Sequence, residues 1–295
     1  MSEKNILKTD ELEKISLYES LIIKEILSKK ELGSIDSIFV KKYLSKYFSN
    51  PLFIEKILHS KNFEEFSRSK IFKVTLKNVR SELRKIYGVF IKKGDREKLL
   101  LSFSKSKKIS DLNDLLCLHQ STSERINDYE IIYKKFFSNQ KNIRIVDLAC
   151  GLNPLASYFI KDKISFYFAS DISSNDCKFI ENFFHLTKIP GSAQPLDLTN
   201  VESFKKIPSC DFCLLFKALD SLETTKRHIS KQLLSSIDAK VFIISFPKVT
   251  IGGKNSIAKS KRSWLEKFLQ KNNKDFEIFE TENELFYIVK NQEIK

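Results

Sequence analysis

Glycine and proline are scarce in this 295-residue chain, at 7 and 6 residues, which excludes collagen-like repeats and long disordered linkers. Methionine and tryptophan occur once each against 25 phenylalanines, so the core has to be packed with phenylalanine and aliphatic side chains. No apolar run approaches the roughly 18 residues of a membrane-spanning helix, and the opening MSEKNILKTDELEK lacks the apolar stretch of a secretory signal. The five cysteines (Cys117, Cys150, Cys177, Cys210 and Cys213) are odd in number and lack the spacing of a disulfide framework. Together these absences read as a cytoplasmic protein with reduced thiols, away from membranes and expected to be a monomer. With only four histidines there is little material for a histidine base or metal centre.

What the chain does have is positive charge. Its 51 Lys/Arg exceed 37 Asp/Glu for a net +14, and residues 1–100 alone hold a surplus of eight. Such a surplus favours phosphate-rich partners through counterion release. A solvated, lysine-rich surface is the rival reading.

Hydrophobic periodicity divides the chain. Residues 10–31 place Leu12, Ile15, Leu17, Leu21, Ile22 and Ile26 at helical spacing. Further helical patterns follow at about 36–48, 52–60 and 62–86, with a short strand conceivable near 86–91. The polar stretch SFSKSKKIS (102–110) separates this helical part from the rest. After a helix at 121–137, short apolar strands alternate with helices: strands at 144–148, 166–170, 193–196, 211–216 and 240–245, then two at 274–280 and 284–290. The helices between them are expected at 153–160, from Ser173 to Leu186, at about 223–236 and at 260–271. The pattern predicts an α/β fold, a Rossmann-like, doubly wound, mostly parallel seven-stranded sheet closed by a hairpin. A basic helical domain over 1–110 precedes this α/β domain over 111–295.

In such sheets ligands sit at the carboxyl ends of the strands, where strand order switches. Asp147 lies in the first strand and Ala149-Cys150-Gly151 forms the turn after it, with Asn153 opening the next helix. Asp171 ends the second strand and suits ribose hydroxyls. Asp197 ends the third and suits an adenine amino group. Alternatively, Asp171 and Asp197 only cap loops or helices. The turn lacks the G-x-G-x-x-G of dinucleotide sites, so a nicotinamide cofactor fits less well. A sulfonium cofactor carries no phosphate, and one glycine is then enough. Cys210-x-x-Cys213 has no second ligand pair and reads as two small core residues, so no metal is expected.

The segment DLACGLNPLA (147–156) resembles the first motif of the aminoglycoside-resistance 16S rRNA (guanine-N7) methyltransferases. LLFKALDSLE (214–223), SFPKVTIGGK (245–254) and STSERINDYEIIYKKFF (121–137) resemble further segments of that family, in its order and spacing, over about residues 118–290. The resemblance implies that 111–295 is an S-adenosylmethionine-dependent methyltransferase domain, and that 1–110 docks on RNA. It places Asp147, Ala149, Gly151 and Asn153 in the cofactor turn, Asp171 on the ribose and Asp197 near the adenine. Arg125 matches an arginine implicated in the cofactor's carboxylate, and Lys217 a lysine at the mouth of the site, a catalytic candidate. The implied partner is ribosomal RNA within the small ribosomal subunit, at a decoding-site guanine, with antibiotic resistance as a possible consequence. Ser123 stands where the family has arginine, and Asp220 where it has proline.

Guanine N7 carries a free lone pair, so its methylation needs in-line alignment and no general base. A guanine in folded RNA must be exposed before it reacts, and aromatic side chains then stack on it. Phe246, in the S-F-P turn, is the candidate for lining that pocket, with ordinary core packing as the alternative. Lys248, Lys254, Lys259, Lys261 and Arg262 follow in the same loop and suit phosphate contacts, with solvated surface as the alternative. Two other functions stay open: methyl transfer to tRNA, protein or a metabolite, and a non-catalytic RNA-binding protein with a relic cofactor fold.

Overall fold

The computed structural model describes residues 8–29, 32–33, 35–84, 95–249 and 262–291. The chain divides into two compact units, Met1–Val89 and Phe90–Lys295.

The first unit is helical where described: α1 (Thr9–Leu27), α2 (Ser37–Phe48), α3 (Pro51–His59), α4 (Phe63–Arg68) and α5 (Lys70–Leu83). In α1, Tyr18, Ile22 and Ile26 are buried at intervals of four, one stripe of an amphipathic helix. Asn50 caps α3 by accepting the Leu52 N–H at 3.0 Å, with Pro51 in the first turn where its missing donor costs nothing. The single helix expected over 62–86 is interrupted at Ser69. Its backbone is extended (φ −67°, ψ 149°), and its hydroxyl accepts the Phe72 N–H at 3.3 Å to start α5. The core is aromatic, with Phe53 and Phe66 edge-to-face at 5.6 Å. The strand conceivable near 86–91 lies outside the described residues.

The second unit opens with α6 (Arg96–Ser106), α7 (Ile109–Leu116), α8 (Gln120–Arg125) and α9 (Tyr129–Phe137). The polar stretch 102–110 is therefore not a linker. It carries the end of α6, a left-handed cap at Lys107 (φ 54°) and the start of α7. Leu100, Phe103, Leu112, Leu115 and Leu116 are all buried, and Phe103 stacks on Phe183 at 5.8 Å. Apolar spacing inside polar surroundings, rather than composition, decides where this unit begins, ahead of residue 110.

Seven strands follow: β1 (Ile143–Leu148), β2 (Ile164–Asp171), β3 (Gly191–Pro195), β4 (Cys210–Phe216), β5 (Ala239–Pro247), β6 (Asp275–Glu280) and β7 (Glu284–Lys290). They form one sheet in the order β3-β2-β1-β4-β5-β7-β6. The first five run parallel, and β7 inserts antiparallel between β5 and β6. Strand order reverses between β1 and β4, where Asp147 stands level with Leu214. Successive residues of a strand face opposite sides of a sheet. Accordingly Ile145, Leu214, Ile243 and Phe286 enter one core, and Val146, Cys213, Ile244 and Leu285 enter the other. Cys210 and Cys213 are buried in the second of these.

Between the strands lie α10 (Ser174–Thr187), α11 (Leu219–Thr225), α12 (Ile229–Ser236) and α13 (Ser263–Lys271). The segment after β1, Asn153–Lys163, is the expected helix, wound as 3₁₀. The helix expected at about 223–236 breaks at His228 (φ 66°), because the Glu223 carboxylate accepts the N–H groups of His228 (2.8 Å) and Ser230 (2.9 Å). Among the described residues no helix is long and apolar enough to cross a membrane.

Phe183 is fully buried between Phe103 and Phe184. Phe183→Ala is expected to cost about 3–5 kcal/mol, read as a fall in the denaturation midpoint on urea titration. A loss below about 1 kcal/mol would mean that α6 does not rest on α10 in this way.

Candidate active site

The turn after β1 is strained, and the strain has a cause. Ala149 (φ 50°) and Gly151 (φ 51°) both take left-handed backbone, which costs an L-residue about 1–2 kcal/mol. At Gly151 a side chain would also collide with the His119 ring, whose Cε1 would lie 2.7 Å from the added Cβ. The bare Gly151 N–H donates to Asp171 Oδ2 at 2.8 Å. The other Asp171 oxygen accepts from Ile172 N (2.7 Å) and Ser173 N (3.2 Å). One carboxylate thus staples the loop after β1 to the loop after β2. Burial and the neighbouring Asp176 raise its pKa to about 6, against the three N–H donors that favour the ion.

Asp147 is fully buried. Its Oδ2 accepts from Asn153 Nδ2 (2.8 Å) and from the Tyr167 hydroxyl (2.7 Å), while Oδ1 has no hydrogen-bond partner among the described residues. Burial pushes its pKa up to about 7. His119, in the segment between α7 and α8, is driven down to about 4 by burial and is neutral.

Asn153 also joins Asp147 to Arg125. Its Oδ1 accepts from Arg125 Nη1 (3.2 Å) and from the Tyr129 hydroxyl (2.9 Å). Arg125, at the end of α8, is 1% exposed, and its guanidinium lies 4.9 Å over the Phe216 ring. Nε donates to Glu284 Oε1 at 2.5 Å, and Nη2 has no hydrogen-bond partner among the described residues. Burial alone would lower the pKa of Arg125, but the Glu284 carboxylate and the Tyr129 hydroxyl together raise it. Glu284 is fully buried at the start of β7 and also accepts the Ser245 hydroxyl at 2.6 Å. Lys217, just after β4, places Nζ 2.6 Å from Glu124 and 3.2 Å from Glu284. Its left-handed backbone (φ 56°) is held by N–H bonds to the Ser245 carbonyl (3.0 Å) and hydroxyl (3.1 Å). Two cations and two carboxylates therefore close a network at the carboxyl ends of β1, β4 and β5.

The structure thus links Asp147, Asn153 and Arg125 in one bonded group, and Gly151 with Asp171 in a second, on either side of the turn that holds Ala149. Lys217 joins the first group only through Glu284. Other sequence candidates are placed differently. Asp197 folds back on its own loop, Oδ1 accepting the N–H (2.9 Å) and hydroxyl (2.6 Å) of Thr199. Phe246 was expected to line a pocket but is fully buried, edge-to-face with Tyr287 at 5.9 Å. The alternation of β5 explains this, since Ser245 takes the side of Glu284 and Phe246 takes the opposite core. Arg262, expected to meet phosphate, is 1% exposed, lies over the Phe246 ring and donates to the Pro247 carbonyl. It supports the end of β5. Lys248 is partly exposed and reaches the Thr281 carbonyl (2.9 Å) and Glu280 (3.3 Å). Lys254, Lys259 and Lys261 lie outside the described residues. Among the described residues no group of three His, Cys, Asp or Glu is disposed to hold a metal ion.

Sequence reasoning missed Glu284, Glu124, Tyr129, Tyr167 and His119 as members of this site. His119 carried a faint signal, standing two residues before the S-T-S-E-R segment.

Residues 75–288 match the model of the family described as Ribosomal RNA methyltransferase (FmrO). The chain belongs to this family. Among curated relatives, the 16S rRNA (guanine(1405)-N(7))-methyltransferase of Serratia marcescens is 28% identical over 231 residues, 77% of this chain and 87% of the relative. The enzyme of the same name from Micromonospora echinospora is 25% identical over 228 residues, 72% of this chain and 81% of its own. Of solved structures, the 16S rRNA methyltransferase RmtF, in complex with S-adenosyl-L-homocysteine, superposes with a TM-score of 0.72 at 22% identity. That match covers 93% of this chain and 98% of the other, and it shows a shared fold. The 16S rRNA methylase ArmA is 28% identical with a TM-score of 0.53, over 68% of this chain and all of its own.

Two outcomes follow from the geometry. Gly151→Ala forces a Cβ into His119 on left-handed backbone, and a loss of about 2–4 kcal/mol is expected in chemical denaturation. A stability unchanged from wild type would refute that contact. A carboxylate whose folded pKa lies above its unfolded value contributes stability that is present at low pH and lost as pH rises through the folded pKa. For Asp147 that window runs from about 4 to about 7. Asp147→Asn should therefore lose less stability than wild type when the melting temperature is followed across it, and parallel curves would contradict the burial of an ionisable group there.

Proposed function

We propose that this chain transfers a methyl group from S-adenosylmethionine to a guanine N7 of 16S rRNA, at the nucleotide numbered 1405 in the names of its relatives. The observation that carries the proposal is a complementary pair of unsatisfied atoms beside the β1 turn of a chain from a ribosomal RNA methyltransferase family. Arg125 Nη2 is a buried cationic donor and Asp147 Oδ1 a buried acceptor, and Asn153 is bonded to both side chains. A buried polar atom without a partner costs about 1–3 kcal/mol, which a ligand that meets it recovers. The amino-acid end of S-adenosylmethionine, with its carboxylate and ammonium, supplies both partners, and the residues present fit it.

Arg125 would hold the carboxylate. Asp171, aligned by its backbone bonds, would accept the ribose hydroxyls, and Asp197 would stand near the adenine. Ala149 and Gly151 would form the turn on which the cofactor rests. When bound, the cofactor supplies an electrophilic methyl group on a sulfonium. Guanine N7 attacks with a lone pair that is already free, so the residues around it need to align and remove no proton. The composition of the site suits this task. His119 is neutral and buried, and Lys217 is tied to two carboxylates. Lys217 would set the mouth of the site. Lys248, together with Lys254, Lys259 and Lys261, would contact phosphates, which position the RNA without specifying it. The partner is then the small ribosomal subunit in the cytoplasm, met by a monomer whose basic N-terminal helices dock on the RNA.

The test is transfer of labelled methyl from the cofactor to 30S particles, followed by mass mapping of the rRNA. One modified guanine is expected, and Asp171→Ala should weaken cofactor binding about tenfold or more, the loss of charge-assisted bonds to two hydroxyls. Label confined to tRNA, protein or small molecules would overturn the substrate. No cofactor binding together with salt-sensitive RNA binding would point to a non-catalytic protein.

A further inference from the structure

We propose that Glu284 is a positioning residue for the cofactor, fixing the Arg125 guanidinium so that its free nitrogen faces the ligand rather than Asp147. The inference rests on the reading of Arg125 as the holder of the cofactor's carboxylate.

A guanidinium is planar, and two hydrogen bonds from different nitrogens fix the direction of the third. In Arg125 those two are Nε to Glu284 Oε1 at 2.5 Å and Nη1 to Asn153 Oδ1 at 3.2 Å. The first is charge-assisted and short, the second is to a neutral amide, so Glu284 sets the orientation. Asp147 offers a competing acceptor, because its Oδ1 is buried, without a hydrogen-bond partner among the described residues, and on a side chain bonded to the same Asn153. Without Glu284, the guanidinium would turn to that oxygen, and the donor and acceptor meant for the ligand would satisfy each other.

Glu284 is suited to holding still. Its Oε2 accepts the Ser245 hydroxyl at 2.6 Å, and its Oε1 also lies 3.2 Å from Lys217 Nζ. It belongs to β7, paired to β5 with Glu284 level with Pro247, so the sheet itself anchors it. Fully buried, it can regain water only by giving up the Arg125 and Lys217 cations that offset its lost solvation.

Binding of S-adenosylhomocysteine by isothermal titration calorimetry to the full-length protein tests this in wild type, Glu284→Gln, Arg125→Gln and the double variant. Each single substitution is expected to raise Kd about tenfold or more. The double variant should bind no more weakly than Arg125→Gln alone, since Glu284 acts only through Arg125. Wild-type affinity in Arg125→Gln would overturn the reading of Arg125 itself. Weakened binding in Arg125→Gln with wild-type affinity in Glu284→Gln would overturn the positioning role alone, as would losses that simply add. Should Glu284→Gln fail to fold, Ser245→Ala keeps the carboxylate and removes one of its tethers. A loss of about threefold that disappears in the Arg125→Gln background is then expected, and an unchanged Kd would overturn the proposal.

Discussion

Arg125, Lys217, Glu124 and Glu284 enclose two positive and two negative charges at the point where the strand order reverses. Removing a charge from water costs several kcal/mol, and only close pairing inside the protein offsets it. That requirement governs much of the surrounding architecture. Around it, α8 supplies Arg125 and Glu124, the Ser245 bonds hold Lys217 in left-handed backbone, and β5 alternation turns Ser245 rather than Phe246 towards Glu284. A packed hydrophobic cluster would stabilise the fold as well or better. A charged one instead fixes the direction of its members, which a site for a zwitterionic ligand needs.

Asp147 and Asp171 show the same tension from the other side. Both are buried with pKa values pushed up to about 7 and about 6, so each destabilises the fold when ionised at neutral pH. Asp171 recovers part of this through three backbone donors, and in doing so ties two loops together. Asp147 keeps one oxygen unsatisfied. The stability forgone there is retained as affinity for whatever donor arrives.

Much of the sheet was legible because parallel strands buried on both faces leave short apolar runs, and the β1 turn because a glycine followed by N-P marks a change of direction. Asp147, Asn153 and Asp171 stand at strand ends, where sequence position alone locates them. Glu284 does not. It lies 159 residues from Arg125 along the chain, and nothing in T-E-N-E-L-F distinguishes a buried carboxylate from an exposed one. The burial of Phe246 and Arg262 was not legible for a related reason. Period-two alternation fixes that neighbours face opposite sides, yet not which side holds the ligand. The breaks at Ser69 and His228 come from single side chains capping the backbone, a local competition that apolar spacing does not record.

Within the sheet, β7 follows every other strand in the chain yet lies between β5 and β6. The carboxylate that neutralises Arg125 and Lys217 is its first residue. During synthesis, then, α8 and the other six strands emerge before the carboxylate that pairs with Arg125. A chain ending before β7 would carry the β1 turn and its acids without the Glu284 carboxylate.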